Sequence, residues 1–118
     1  MIWFATALAA AALTGCNRPV SDPNQLKAVR AEALVLMKTH RPDLPGKERD
    51  VPKDQWPTAI SHLDPVDVTV YPWGVDIQTR NYFDGGYGYE VPLNKSALPM
   101  PVRCYREPSE GVFWHGPC

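Results

Sequence analysis

Thirteen of the 118 residues are proline, and this limits the possible folds more than any other feature of the chain. Each proline holds φ near one value and lacks the backbone N–H that helices and sheets use. The residue before it is pushed out of the helical region as well. Such a chain is cut into short elements joined by stiff turns. The same density in a polar chain would mean disorder, but here 44% of residues are hydrophobic and 10% aromatic, enough to build a core.

One long helix fits between the prolines. Ser21-Asp22-Pro23 reads as its start, a capping oxygen followed by proline at the first helical position, where a missing N–H matters least. Over residues 24–39, Leu26, Val29, Ala33, Leu36 and Met37 recur at helical spacing, leaving Lys27, Arg30 and Lys38 for water. Pro42 ends it. The apolar stripe is expected to cover a sheet; the alternative is a helix that binds a partner. Residues 41–53 are polar and charged, with Pro45-Gly46 as a turn signal, and read as a surface loop. Trp56, Ile60 and Leu63 would share one face of a short helix of one to two turns starting near Pro57 and closed by Asp64-Pro65.

The rest of the chain has the two-residue period of strands. Val66, Val68 and Val70 alternate with Asp67, Thr69 and Tyr71, then Val75, Ile77 and Thr79 with Asp76, Gln78 and Arg80. Pro72-Trp73-Gly74 between them marks a hairpin whose apolar faces agree. Asp84-Gly85-Gly86 is a second turn signal, leading to a strand at 87–91 with Tyr87, Tyr89 and Val91 on one face. Further strands are expected at 102–106 and, after a turn at 108–111, at 112–115. The fold class is therefore α+β: one long N-terminal helix, a short helix and an antiparallel meander of four to five short strands, with the long helix against one face. No internal repeat is visible.

The first fifteen residues form an uncharged apolar run that closes on Leu13-Thr14-Gly15-Cys16. No Lys or Arg precedes the run. An apolar residue, two small residues and a cysteine resemble the lipobox of bacterial lipoproteins. In that family the cysteine thiol receives a diacylglycerol, the bond before it is cut, and the new amino terminus is often acylated. A membrane-spanning helix is the competing reading. It needs roughly 20 apolar residues, and Asn17, Arg18 and Pro19 interrupt the run too early. The resemblance divides the chain into a signal peptide at 1–15, a lipidated tether at 16–22 and one small α+β domain at 23–118. It implies a cell-envelope protein anchored through Cys16 and facing the periplasm. Asn17, rather than an Asp, in the next position leans toward the outer membrane. It further implies that Cys104 and Cys118 are left as one pair in a compartment where disulfides persist. A loop of about 15 residues closed this way is stabilised by about 3 kcal/mol in the chain-entropy model. Metal binding is the other use of such cysteines, but the Cys-x-x-Cys spacing of structural zinc is missing.

A second resemblance rests on Trp56, Pro57, Ala59, Ile60, Leu63, Pro65 and Val68, followed by the Gly74-Val75-x-Ile77 hairpin and a Gly-rich turn. This pattern is similar to small uncharacterised bacterial proteins, many of them lipoproteins. It covers about a third of the chain and brings no activity with it. These residues read as packing residues that lock a short helix onto a hairpin.

The residues that could carry chemistry are few. His40, His62 and His115 show no metal-ligand spacing, so neither a metal nor a cofactor is expected. His62 with Asp64 or Asp67 could make an orienting pair, but Ser61, Ser96 and Ser109 sit in no nucleophile motif. Asp84-Gly85-Gly86-Tyr87-Gly88-Tyr89 lacks the Lys-Ser/Thr of a phosphate-binding loop and feeds a strand, so it reads as a hairpin turn. An enzyme is not expected. With 12 basic and 13 acidic side chains, the chain has no basic footprint for nucleic acid. Nine aromatic residues fall in the β half, more than one face of a small sheet would bury. Trp73, Tyr82 and Phe83 are expected to be exposed beside Arg80, Arg103 and Arg106, a composition typical of interface hot spots, although each ring could equally fill the core. The expected function is a lipid-anchored, non-catalytic binding or structural module that docks on a protein or glycan of the envelope. The alternative is a periplasmic immunity or inhibitor lipoprotein that blocks a secreted toxin or lytic enzyme.

Overall fold

The computed structural model describes residues 22–44, 46–81 and 86–118. The apolar leader with Cys16, the tether, the Ser21 cap, Pro45 and the residues Tyr82, Phe83, Asp84 and Gly85 lie outside them. Helix α1 spans Pro23–Thr39 and helix α2 spans Thr58–Ser61. Six strands follow the order β1 Arg49–Asp50, β2 Asp67–Tyr71, β3 Gly74–Arg80, β4 Tyr87–Pro92, β5 Tyr105–Ser109 and β6 Val112–His115. The fold is α+β, with one more strand than the upper expectation. Among the described residues no helix is long and apolar enough to cross a membrane.

Helix α1 begins as its sequence requires. Asp22 accepts a hydrogen bond from the Asn24 amide at 3.0 Å, and Pro23 takes the first helical position. Leu26, Val29, Ala33 and Leu36 are all buried on one stripe and lie against β2 through β6. Their counterparts on the sheet are Val68, Val70, Val75, Ile77, Tyr89, Val91, Val112 and Trp114, which belong to the same core. Helix α2 has Pro57 at its cap, where no side chain can serve. Glu32 of α1 supplies the missing acceptor: its two carboxylate oxygens take the Ala59 and Ile60 amides at 3.0 and 2.9 Å. One carboxylate thus caps the short helix and ties it to the long one.

All strand pairs are antiparallel, and the sheet order is β1-β2-β3-β4-β6-β5. Three features differ from the sequence expectation. The surface loop at 41–53 contains β1, which pairs Arg49 with Val70 and Asp50 with Thr69. Residues Val102–Cys104, expected as strand, form a single 3₁₀ turn. The last two strands also exchange places relative to a simple meander, so β6 rather than β5 lies beside β4. Burial explains this order. Val112, Phe113, Trp114 and His115 are all buried, which suits an interior strand. Strand β5 is partly exposed and carries Pro108, a residue that sheets accept at their edges. Residues 93–104 carry the chain past β6 to that outer edge. The β5–β6 turn needs Gly111, whose φ of +75° is unfavourable for a side chain.

Candidate functional site

Strand pairing aligns a second set of side chains on the face away from α1. One row across the sheet runs Thr69, Asp76, Glu90, Phe113, and the next runs Asp67, Gln78, Gly88, His115, Tyr105. In this way Asp76 of β3 and Glu90 of β4 stand directly opposite each other, an arrangement of like charges that destabilises a bare ladder. His115 of β6 and Tyr105 of β5 close around them. The segment 93–104 passes over the same face: the Lys95 ammonium lies 5.7 Å from the centre of the Phe113 ring, and the Met100 amide donates to the Tyr105 oxygen at 3.3 Å. Glu90 and His115 are buried although polar, as is Thr69 nearer the β1 edge.

The polar groups of this cluster are matched to each other. Glu90 Oε2 lies 3.2 Å from His115 Nε2, and Glu90 Oε1 accepts the Tyr105 hydroxyl at 2.6 Å. His115 Nδ1 is 3.1 Å from the Gly116 carbonyl oxygen; a carbonyl only accepts, so Nδ1 carries the proton. Burial, then the charge of Glu90, raise the Asp76 carboxyl to a pKa of about 7, with His115 partly offsetting them. Burial alone would lower the His115 pKa, but the hydrogen bond and charge of Glu90, with Gly116 and Asp76 in support, raise it above its ordinary value. The Tyr105 hydroxyl is raised by burial and by its bond to Glu90, so it stays a donor. Ligand atoms of Asp76, Glu90 and His115 all lie within 4.8 Å of one another. The cluster can hold a cation, either a proton or a metal ion, and it presents no nucleophile.

A second feature lies at the other end of α1. Leu34, Met37, Pro42, Leu44, Tyr71, Pro72 and Leu93 line an open apolar groove of about 770 Å³, with Lys38, Arg41 and Asp43 among its walls. Leu34, Leu44 and Leu93 are 39%, 60% and 62% exposed there, unusual for three leucines so close together.

The residues singled out in the sequence meet different fates. Trp73, expected to be exposed, is half-buried at the β2–β3 turn and stacks on Tyr71, with ring centres 5.3 Å apart. Arg80 is exposed at the far end of β3. About 20 Å of strand therefore separates the two, and they do not form one surface patch. Cys104 and Cys118 are bonded, with Cα atoms 5.8 Å apart. His40 is held by both ring nitrogens, to Thr39 at 2.8 Å and Gln55 at 2.7 Å. His62 is exposed just after α2, and Ser96 donates to Asn94.

Sequence reasoning missed the Asp76–Glu90–His115 cluster. A signal existed: Glu90 and His115 are the charged or titratable members of otherwise largely apolar strands, and Asp76 stands between Val75 and Ile77. Local spacing could not connect them, because the three come from three strands. A meander would also have placed β5 between Glu90 and His115. No protein-family model, curated protein or solved structure matches the chain.

Proposed function

We propose that this protein is a lipid-anchored component of a bacterial cell envelope, held through Cys16 and facing the periplasm, and that its folded part is a non-catalytic binding module for an envelope protein. The observation that carries the reading is Leu13-Thr14-Gly15-Cys16 at the end of an uncharged apolar run. Two further features support it. The Cys104–Cys118 bond suits an oxidising compartment, and helix α1 starts seven residues after Cys16, a short tether between lipid and domain. The groove at the end of α1 suits an apolar peptide segment with an acidic flank, because three exposed leucines lie beside Lys38 and Arg41.

Intact-mass analysis of protein from its native host tests the anchor. A chain starting at Cys16 and carrying a diacylglycerol is expected, as is release of Cys16→Ser from membranes. A chain that retains Met1 and carries no glyceride overturns the reading. For the binding role, cross-linking in the native envelope should yield an adduct that Leu93→Asp abolishes. Val66→Asp, which alters a half-exposed valine outside the groove, should leave the adduct intact. An adduct that survives Leu93→Asp removes the groove from the proposal.

A further inference from the structure

The geometry points to a binding site for a divalent transition-metal ion, Zn²⁺ in the first instance, formed by Asp76, Glu90 and His115 on the polar face of the sheet. It is independent of the lipid anchor and of the groove.

The distances fit a shared ion. One ligand atom from each residue lies within 4.8 Å of the others, and His115 Nε2 lies 3.2 Å from Glu90 Oε2. Two ligands bound at about 2.1 Å to one ion lie about 3.0–3.4 Å apart at octahedral or tetrahedral angles. Closing the rest of the site requires a rotation of the Asp76 carboxylate, the least buried of the three groups.

The surroundings orient the ligands as metal sites do. Because His115 Nδ1–H is committed to the Gly116 carbonyl, the neutral ring turns the lone pair of Nε2 toward Glu90 Oε2. With the ring neutral, two acceptors face each other at 3.2 Å, and the position between them is filled either by a proton on Nε2, which makes an ion pair with Glu90, or by a metal ion that replaces that proton. The other oxygen of Glu90 is held by the Tyr105 hydroxyl. A backbone carbonyl behind the imidazole and a donor behind the carboxylate are the outer-shell partners that fix tautomer and direction in metal centres.

Charge and donor type narrow the ligand. Two carboxylates directly opposite each other share a single imidazole, so a divalent ion can take the place of the protons that otherwise balance their charge. One imidazole nitrogen with two carboxylate oxygens favours Zn²⁺ and its first-row neighbours over Mg²⁺ and Ca²⁺, which prefer all-oxygen sites. Three protein ligands leave at least one coordination position for water.

The test uses the full chain purified in detergent, stripped with EDTA and titrated with ZnCl₂ by calorimetry, with thermal melts in parallel. One Zn²⁺ per chain is expected, together with a rise in melting temperature that saturates over the same concentrations. Asp76→Asn keeps the shape, removes one charge and should stay folded, while Zn²⁺ affinity falls roughly tenfold or more. Glu107→Gln, which alters the surface partner of Lys95, should bind as the parent does. Lack of saturable binding overturns the proposal, and so does full affinity in Asp76→Asn, which would place the ion elsewhere. Equal affinity for Mg²⁺ overturns the transition-metal assignment.

Discussion

Both faces of the sheet bury side chains, the helix side throughout its centre and the polar side around Glu90 and His115, but they do so by different means. Toward α1 the contacts are entirely apolar: Val68, Val75, Ile77 and Val91 show no exposure and meet Leu26, Val29 and Ala33 of the helix. Removing such surface from water is favourable wherever shapes fit, so this face follows from the hydrophobic pattern alone. On the other side Glu90 and His115 are just as buried, at 5% and 6% exposure, and their burial is unfavourable unless every polar atom finds a partner. Glu90 and His115 hold each other, the Tyr105 hydroxyl of β5 donates to Glu90, the Gly116 carbonyl accepts from His115, and Met100 of the crossing segment in turn donates to Tyr105. The apolar face tolerates small shifts of its members, whereas the polar face depends on each one. A small domain with a thin stability margin keeps such a cluster at a cost, which is why the polar face rather than the core attracts a functional reading.

The largest effect should come from the apolar side. Ile77→Ala leaves a cavity at a fully buried site and should lower stability by about 2–5 kcal/mol, measured by chemical denaturation. A loss below about 1 kcal/mol would mean that the helix–sheet interface is loosely packed and would break the contrast. Next comes a polar-face change with the opposite sign. In metal-free protein Asp76 has its folded-state pKa raised to about 7, so its stabilising contribution is complete below the ordinary carboxylate range and is lost as pH rises through about 7. His115, also raised, adds in the same direction: its contribution is present below its ordinary value and is lost as pH climbs through the higher folded-state value. EDTA-treated protein should therefore melt higher at mildly acidic pH than at mildly alkaline pH. Asp76→Asn should flatten that slope and stabilise the alkaline protein by about 1–3 kcal/mol, less than the full shift because the group is partly exposed. A parent protein that gains stability as pH rises from neutral would refute this account of the cluster.

How much of this was legible in the sequence follows the same division. The apolar face was readable because its signal is local. Leu26, Val29, Ala33 and Leu36 repeat at helical spacing, Val68 and Val70 pair with Ile77 and Val75 across a two-residue turn, and the structure agrees on all of them. The polar face depends on which strands become neighbours. Proximity of Glu90 to His115 requires β6 beside β4, and that order is decided by the burial of residues 112–115 against an edge-type β5, a competition between two segments rather than a property of either. Strand β1 escaped notice for a related reason. Arg49 and Asp50 have no apolar alternation, and the ladder of β2 recruits them. Trp73 was expected to be exposed because it sits at a turn, but it stacks on Tyr71 two residues before it and is half-buried. Cys104 and Cys118 come together as the lipoprotein resemblance implied, even though the 3₁₀ turn replaces the strand expected around Cys104.

A smaller change sharpens the contrast inside the polar face. Tyr105→Phe removes the hydroxyl that donates to Glu90 and accepts from the Met100 amide, leaving a buried carboxylate oxygen without its donor. Stability should fall by about 1–2 kcal/mol, with the loss read from denaturant midpoints at unchanged slope. An unchanged midpoint would show that water replaces the hydroxyl and that the face is wetter than its burial implies.

The smallest effect is expected where the polar row reaches the edge of the sheet. Thr69 is buried and donates its hydroxyl to Asp50 at 3.0 Å, joining β1 to β2. Thr69→Val keeps the shape and the strand preference but deletes this bond, while the backbone bond from Val51 to Val68 remains at 2.8 Å. Global stability should drop by only about 0.5–1 kcal/mol, because Asp50 is exposed and water takes over its oxygen. The local consequence should be larger than the global one: hydrogen exchange at Arg49 and Asp50 should quicken while Val75 and Ile77 stay protected. If instead the loss matched that of Tyr105→Phe, the edge would be as tightly satisfied as the centre. The polar face would then behave as one cooperative network running from β1 to β5, rather than a closed cluster around Glu90 with a loosely attached border.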